Sequence, residues 1–134
     1  MGMYPSADLS YGMDLGDDFY AWPEDGQDHE ELTWLTWELW EESWEWETVS
    51  ATYLTSKGVE GVWLTNYGHH DHPRYALVTK SIGCSGWGDL TVVEADDLAV
   101  DKDVDDTRIR AAWKLLFPNR EPGPIAWRLS ANFD

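Results

Sequence analysis

Residues Ala7 to Leu15 alternate strictly, with Ala7, Leu9, Tyr11, Met13 and Leu15 on one side and Asp8, Ser10, Gly12 and Asp14 on the other. A period of two predicts a half-buried strand, ended by Gly16, Asp17 and Asp18. A loop containing Pro23, Gly26 and several acids follows. Asp28 and Glu31 then stand in capping-box spacing, and Glu30 and Glu31 suit the positive end of a helix dipole. Leu32, Leu35 and Leu39 form one stripe, which Trp37, Trp40 and Trp44 widen at spacings of three and four. This pattern predicts an amphipathic helix running to about Glu47.

The stretch Thr48–Lys57 mixes signals. Thr48, Val49 and Thr52 are β-branched, whereas Ser56-Lys57-Gly58 reads as a helix end with Gly at C′. A second helix, or a continuation of the first, is the favoured reading. Val59 to Asn66 and Arg74 to Ile82 read as two strands of an antiparallel hairpin, joined by a polar turn from Tyr67 to Pro73. Gly83, Gly86 and Gly88 mark a flexible turn around Cys84, and Leu90 to Glu94 read as a short strand. The acidic stretch Ala95–Asp106 is expected to be mostly loop with a helical turn. Asp105 or Asp106 is expected to cap a last helix that runs through Phe117 on a face of Ile109, Ala112, Trp113 and Leu116. Pro118 and Asn119 stop it, and Ile125, Trp127 and Leu129 alternate in a closing strand. Irregular mixing of strands and helices, without βαβ repeats, predicts an α+β fold. The expected architecture is a single domain over 1–134, with a largely antiparallel sheet of about four to five strands packed with two to three helices.

Charge divides this layout unevenly. The chain has 134 residues and a net charge of −17. Residues 1–56 hold fourteen acidic residues and no Lys or Arg, while residues 57–134 hold twelve acidic against nine basic. The acidic half is therefore −14 and the near-balanced half −3. Such a field repels nucleic acid and anionic membranes and attracts a basic protein surface. Cys84 is the single cysteine, which excludes an internal disulfide and fits a reducing compartment. No stretch approaches the roughly 20 apolar residues of a membrane helix, and the N-terminus lacks a signal-peptide pattern. A soluble, cytoplasmic protein is the expectation. Ten tryptophans predict a core or an interface rich in indole rings.

The segment Tyr4-Pro5-Ser6-Ala7-Asp8-Leu9-Ser10-Tyr11-Gly12-Met13-Asp14-Leu15-Gly16 resembles the N-terminus of small acidic proteins of actinobacterial bacteriophages. Members of that group tend to continue with an acidic loop, a helical region, a Gly-Val-Glu segment and a strand ending in a short turn. Gly58-Val59-Glu60 and the turn from Tyr67 to Tyr75 fall where such features stand. The resemblance implies a phage origin and no catalytic activity.

Several clusters invite chemical readings. His69, His70 and His72, with Asp71, supply metal-ligand residue types within one turn. Adjacent ligands seldom converge on one ion, however, and no distant Cys pair completes a zinc site. An exposed polar turn is the simpler reading, and no cofactor is expected. Cys84 sits in no thiol-enzyme signature and reads as a small buried residue. Asp96-Asp97 and Asp105-Asp106 lack calcium-loop spacing and read as loop and cap.

The glutamates have geometry. Glu31, Glu38, Glu42 and Glu45 lie at spacings of seven, four and three, so a rise of 1.5 Å per residue sets successive carboxylates about 5 to 10 Å apart. Similar intervals separate phosphates along DNA. With Asp17 and Asp18 nearby, and Trp34 and Trp46 as aromatic anchors, these residues make the candidate partner-binding surface. The expected function is a non-enzymatic accessory protein of anti-CRISPR or anti-restriction type. It would use DNA-like acidic contact to bind and inhibit a host nucleic-acid-handling or defence protein, such as a nuclease or a guide-RNA complex. The alternatives are a phage assembly component that self-associates through tryptophans and a metal-dependent enzyme built on the histidine turn.

Overall fold

A computed structural model describes residues 5–16, 46–67, 74–85, 90–117 and 120–133. They form an α+β arrangement with one antiparallel sheet of four strands and two α-helices. In chain order the elements are β1 (Pro5–Gly16), α1 (Trp46–Ser56), β2 (Trp63–Tyr67), β3 (Arg74–Ser85), a 3₁₀ turn (Ala95–Leu98), α2 (Lys102–Leu116) and β4 (Ile125–Phe133). The sheet order is β2-β3-β1-β4, so the first strand of the chain lies inside the sheet and β2 and β4 form its edges.

The predicted alternation of β1 decides the two faces of the sheet. Tyr11, Met13 and Leu15 point to the helix side and are buried with Leu64, Tyr75 and Leu77 from the neighbouring strands. Against them pack Ile109, Ala112, Trp113 and Leu116, the predicted face of α2, together with Tyr53 and Leu54 of α1. Trp113 is held at both ends: its ring lies 4.6 Å from that of Phe117, and its Nε1–H donates to the Arg120 carbonyl at 2.9 Å. Of the tryptophans whose side chains are described, only Trp113 is buried, while Trp63 and Trp127 are half-buried. Among the described residues, then, the core is mainly Leu and Tyr with a single indole.

The stretch with mixed signals is helical. α1 ends as the Ser-Lys-Gly sequence predicts: Gly58 takes φ 91°, its N–H bonds to Thr55 O at 3.0 Å, and the Val59 N–H bonds to Leu54 O at 2.9 Å. This is a Schellman cap, which favours a residue without a Cβ at the left-handed position. It draws Val59 into the cap, and Gly61 (φ 75°) turns the chain again, so β2 starts at Trp63 rather than at Val59. The β2–β3 pairing is antiparallel as expected, from Trp63↔Val78 to Tyr67↔Arg74.

Three expectations need correction. Gly83 and Cys84 are not a turn: β3 continues to Ser85, pairing Gly83 with Asp8 and Cys84 with Ala7, because β1 is long enough to extend the ladder. Leu90 to Glu94 form no strand. They run past the end of β3 with a side-chain contact from Thr91 Oγ1 to Gly83 O at 3.2 Å and no ladder register with a described strand. The last helix starts one turn before Asp105 and Asp106. Asp101 is its N-cap, accepting from Val104 N at 3.3 Å, and the Asp105 N–H already donates to Asp101 O at 2.7 Å. Asp103 and Asp105 then fill the first turn, where the helix dipole favours acids.

α1 also protects an edge of the sheet. Edge strands expose unpaired backbone groups, a hazard that proteins usually cover. Ser50 of α1 is fully buried, and its Oγ accepts the Leu64 N–H of edge strand β2 at 2.8 Å.

Candidate functional site

Two surfaces stand out among the described residues. The first is the sheet face away from the helices. Small side chains, Ser10, Gly12, Thr65, Ala76, Val78 and Ser130, line its centre, with Asp14, Tyr67 and Arg128 around them. The opposite face carries the core residues of β1, β2 and β3 with Trp127 of β4, and the sheet curls toward the groove side. Two register shifts in the β1–β3 ladder, after Tyr11 and after Asp14, add bend and twist. Gly12 sits at the first shift, where a Cβ would overlap the Leu77 carbonyl and lie 2.8 Å from Val78 Cγ1. As a result β2 and β4, at opposite edges, approach each other and line a groove of about 210 Å³. At its mouth the Tyr67 hydroxyl donates to Asp14, with the Arg74 guanidinium 5.8 Å above the Tyr67 ring. Burial, then the bond to Asp14, pushes the pKa of the Tyr67 hydroxyl up to about 12. The groove is smaller than the roughly 300–1,000 Å³ of small-molecule sites, and its polar groups stitch the curled sheet together.

The second surface is a ridge over residues 90–106. It holds Glu94, Asp96, Asp97, Asp101, Asp103, Asp105 and Asp106 against one basic residue, Lys102. Large apolar side chains stand among these acids: Leu90 is 94% exposed, Val92 77%, Val93 41%, Leu98 40% and Val104 42%. The ridge is anchored at several points. Thr91 bonds to β3, Lys80 Nζ donates to Ala99 O, and Val100 packs on the core. Glu94 and Asp97 cap the 3₁₀ turn reciprocally, with the Glu94 N–H donating to Asp97 Oδ2 at 2.8 Å. At the far end the Tyr11 hydroxyl donates to Asp106 Oδ1 at 2.6 Å, tying α2 to the sheet. Burial, then that bond, pushes the pKa of the Tyr11 hydroxyl up to about 12.

Most of the residues singled out from the sequence are not among those the structure describes. Glu31, Glu38, Glu42, Glu45, Trp34, Asp17 and Asp18 lie outside the described residues, as do His69, His70 and His72. Trp46 opens α1, and its side chain is likewise outside them. Cys84 is half-buried in β3. The paired aspartates act as the loop-and-cap reading expects in part, since Asp97 caps a turn while Asp106 accepts from Tyr11. Among the described residues no group of three or more His, Cys, Asp or Glu is placed to hold a metal ion. No described helix is long and apolar enough to cross a membrane.

The ridge is what sequence reasoning misses. Taken singly, its acids read as loop and cap, and Leu90 to Val93 read as part of a strand. A signal is nevertheless present: seven acids interleave with Leu and Val across a stretch that lacks sustained helical or strand periodicity. Comparison with protein-family models, curated proteins and solved structures finds no match for this chain.

Proposed function

We propose that this is a phage-encoded accessory protein, working in the host cytoplasm, that binds and inhibits a host nucleic-acid-handling or defence protein through acidic, DNA-like contact. The observation that carries the reading is the partition of charge, −14 in residues 1–56 against −3 in the remainder. Fixed carboxylates compete for the Lys and Arg that line a nucleic-acid groove, and their field speeds encounter with such a groove. The exposed acids of the ridge, held by caps and backbone bonds, fit the same reading. The phage origin is supported by the Tyr4–Gly16 segment. Glu31, Glu38, Glu42 and Glu45, with Asp17, Asp18, Trp34 and Trp46, stay the proposed contact residues of the acidic half.

An affinity pull-down from the host, read by mass spectrometry, identifies the partner. With that partner purified, binding weakens steeply as salt rises, because charges separated by more than the Debye length of about 10 Å at 0.1 M are screened. The triple reversal E38K/E42K/E45K abolishes binding. A partner that holds this variant as tightly as the original protein rules out the mimicry reading.

A further inference from the structure

Charge alone does not account for the ridge. An acidic loop that serves only to attract cations gains nothing from exposed Leu and Val, whose hydration opposes solubility. Here Leu90 and Val92 are the two most exposed large hydrophobics in the interval, and both stand within four residues of Glu94. The segment also has a fixed course, bonded to Gly83 and Lys80 of β3 and leading into the capped start of α2.

We infer that residues 90–104 form a docking surface for a basic, amphipathic segment of a partner protein. The apolar side chains of that segment cover Leu90, Val92 and Leu98, and its Lys or Arg side chains meet Asp96, Asp101 and Asp103. The inference rests on the acidic-binder reading and specifies the partner's chemistry. Charge complementarity selects the occupant. A second copy of this chain also carries −17 and is repelled, and nucleic acid and anionic membranes are repelled on the same ground. A purely cationic surface leaves Leu90 and Val92 in water, and a purely apolar one strands the carboxylates. Burying apolar anchors inside a charged rim is how compact interfaces concentrate their binding energy.

The test uses the full chain, ¹⁵N-labelled, and two synthetic peptides with the same number of lysines. One carries leucines at helical spacing and the other has serine in their place. The leucine peptide shifts amide resonances clustered over residues 90–106 and binds about tenfold or more tightly than the serine peptide, a ratio easily resolved by titration. L90S/V92S weakens the leucine peptide about tenfold and leaves the serine peptide unchanged. Because both positions are exposed, this variant folds as the original does. D96N/D103N flattens the salt dependence of both peptides. Equal binding of the two peptides, shifts centred elsewhere, or L90S/V92S binding unchanged each overturns the inference. If that happens while E38K/E42K/E45K still abolishes capture of the host partner, the acidic-binder reading survives without the ridge. If host capture survives the triple reversal but is lost in L90S/V92S, the ridge stands and the DNA-like reading falls.

Discussion

Two short segments with nearly the same composition have opposite fates in this protein. Tyr75-Ala76-Leu77-Val78 of β3 is 0–6% exposed, whereas Leu90-Thr91-Val92-Val93, also aliphatic and β-branched, includes side chains up to 94% exposed. Propensity does not separate them, since both suit a pleated, half-buried surface. What differs is the supply of partners. The first lies between β1 and β2, with ladder bonds on both sides, and its Tyr75 and Leu77 meet the helix layer. The second runs beside the end of β3, where no described strand pairs on the β2 side beyond Val78, yet it meets β3 through a threonine hydroxyl and joins no part of the core cluster. A strand edge within reach is not enough: a strand-like sequence becomes a buried strand only where a layer also covers it.

Hydrogen exchange tests this contrast most severely. Amides of Tyr75 to Val78 exchange only through large-scale opening, orders of magnitude more slowly than those of Leu90 to Val93. Comparable protection in the two segments contradicts this account of them. Truncation follows in size. Leu77→Ala lowers unfolding free energy by about 2–5 kcal/mol, and Leu90→Ala by no more than about 0.5 kcal/mol, both read from denaturant titrations.

Smaller changes probe how the buried segment is held. Gly12→Ala drives a methyl group into the Leu77 carbonyl and Val78, costing about 1–3 kcal/mol through displaced backbone. Ser50→Ala leaves the buried Leu64 N–H of the neighbouring strand without its acceptor, at a cost of about 1–3 kcal/mol. Gly58→Ala meets no steric neighbour, so its cost of about 1–2 kcal/mol is the left-handed backbone alone.

The gentlest probe is alkaline pH. Tyr11 and Tyr67 ionise near 12 in the folded protein, against 10.0 for an unperturbed tyrosine. As pH rises past 10 the unfolded chain therefore releases their protons first. Their contribution is complete below pH 10 and is lost between about pH 10 and 12. Tyr11→Phe reduces that decline in a pH series of thermal melts, and an unchanged decline removes Tyr11 from the account.

Much of the fold is legible in local pattern. The alternation of β1, the hairpin partners β2 and β3, the Gly58 helix stop and the Ile109–Leu116 face all follow from periodicity and backbone chemistry, which neighbours in sequence supply. The candidate site is less legible. The glutamate row lies outside the described residues, and the pattern of the ridge divides it between an apparent strand and a late helix cap.

The sequence alone therefore determined an α+β chain, with one face of each regular element apolar and the charge gathered toward its first half. Only the tertiary structure decided that β1 lies inside the sheet, that the face away from the helices curls into a groove, and that Ser50 guards the β2 edge. It also decided that Leu90 and Val92 stay in water. The reason is the same in each case: hydrophobic pattern says which side chains benefit from burial, but the number of strand edges and covering layers within reach decides which of them are buried.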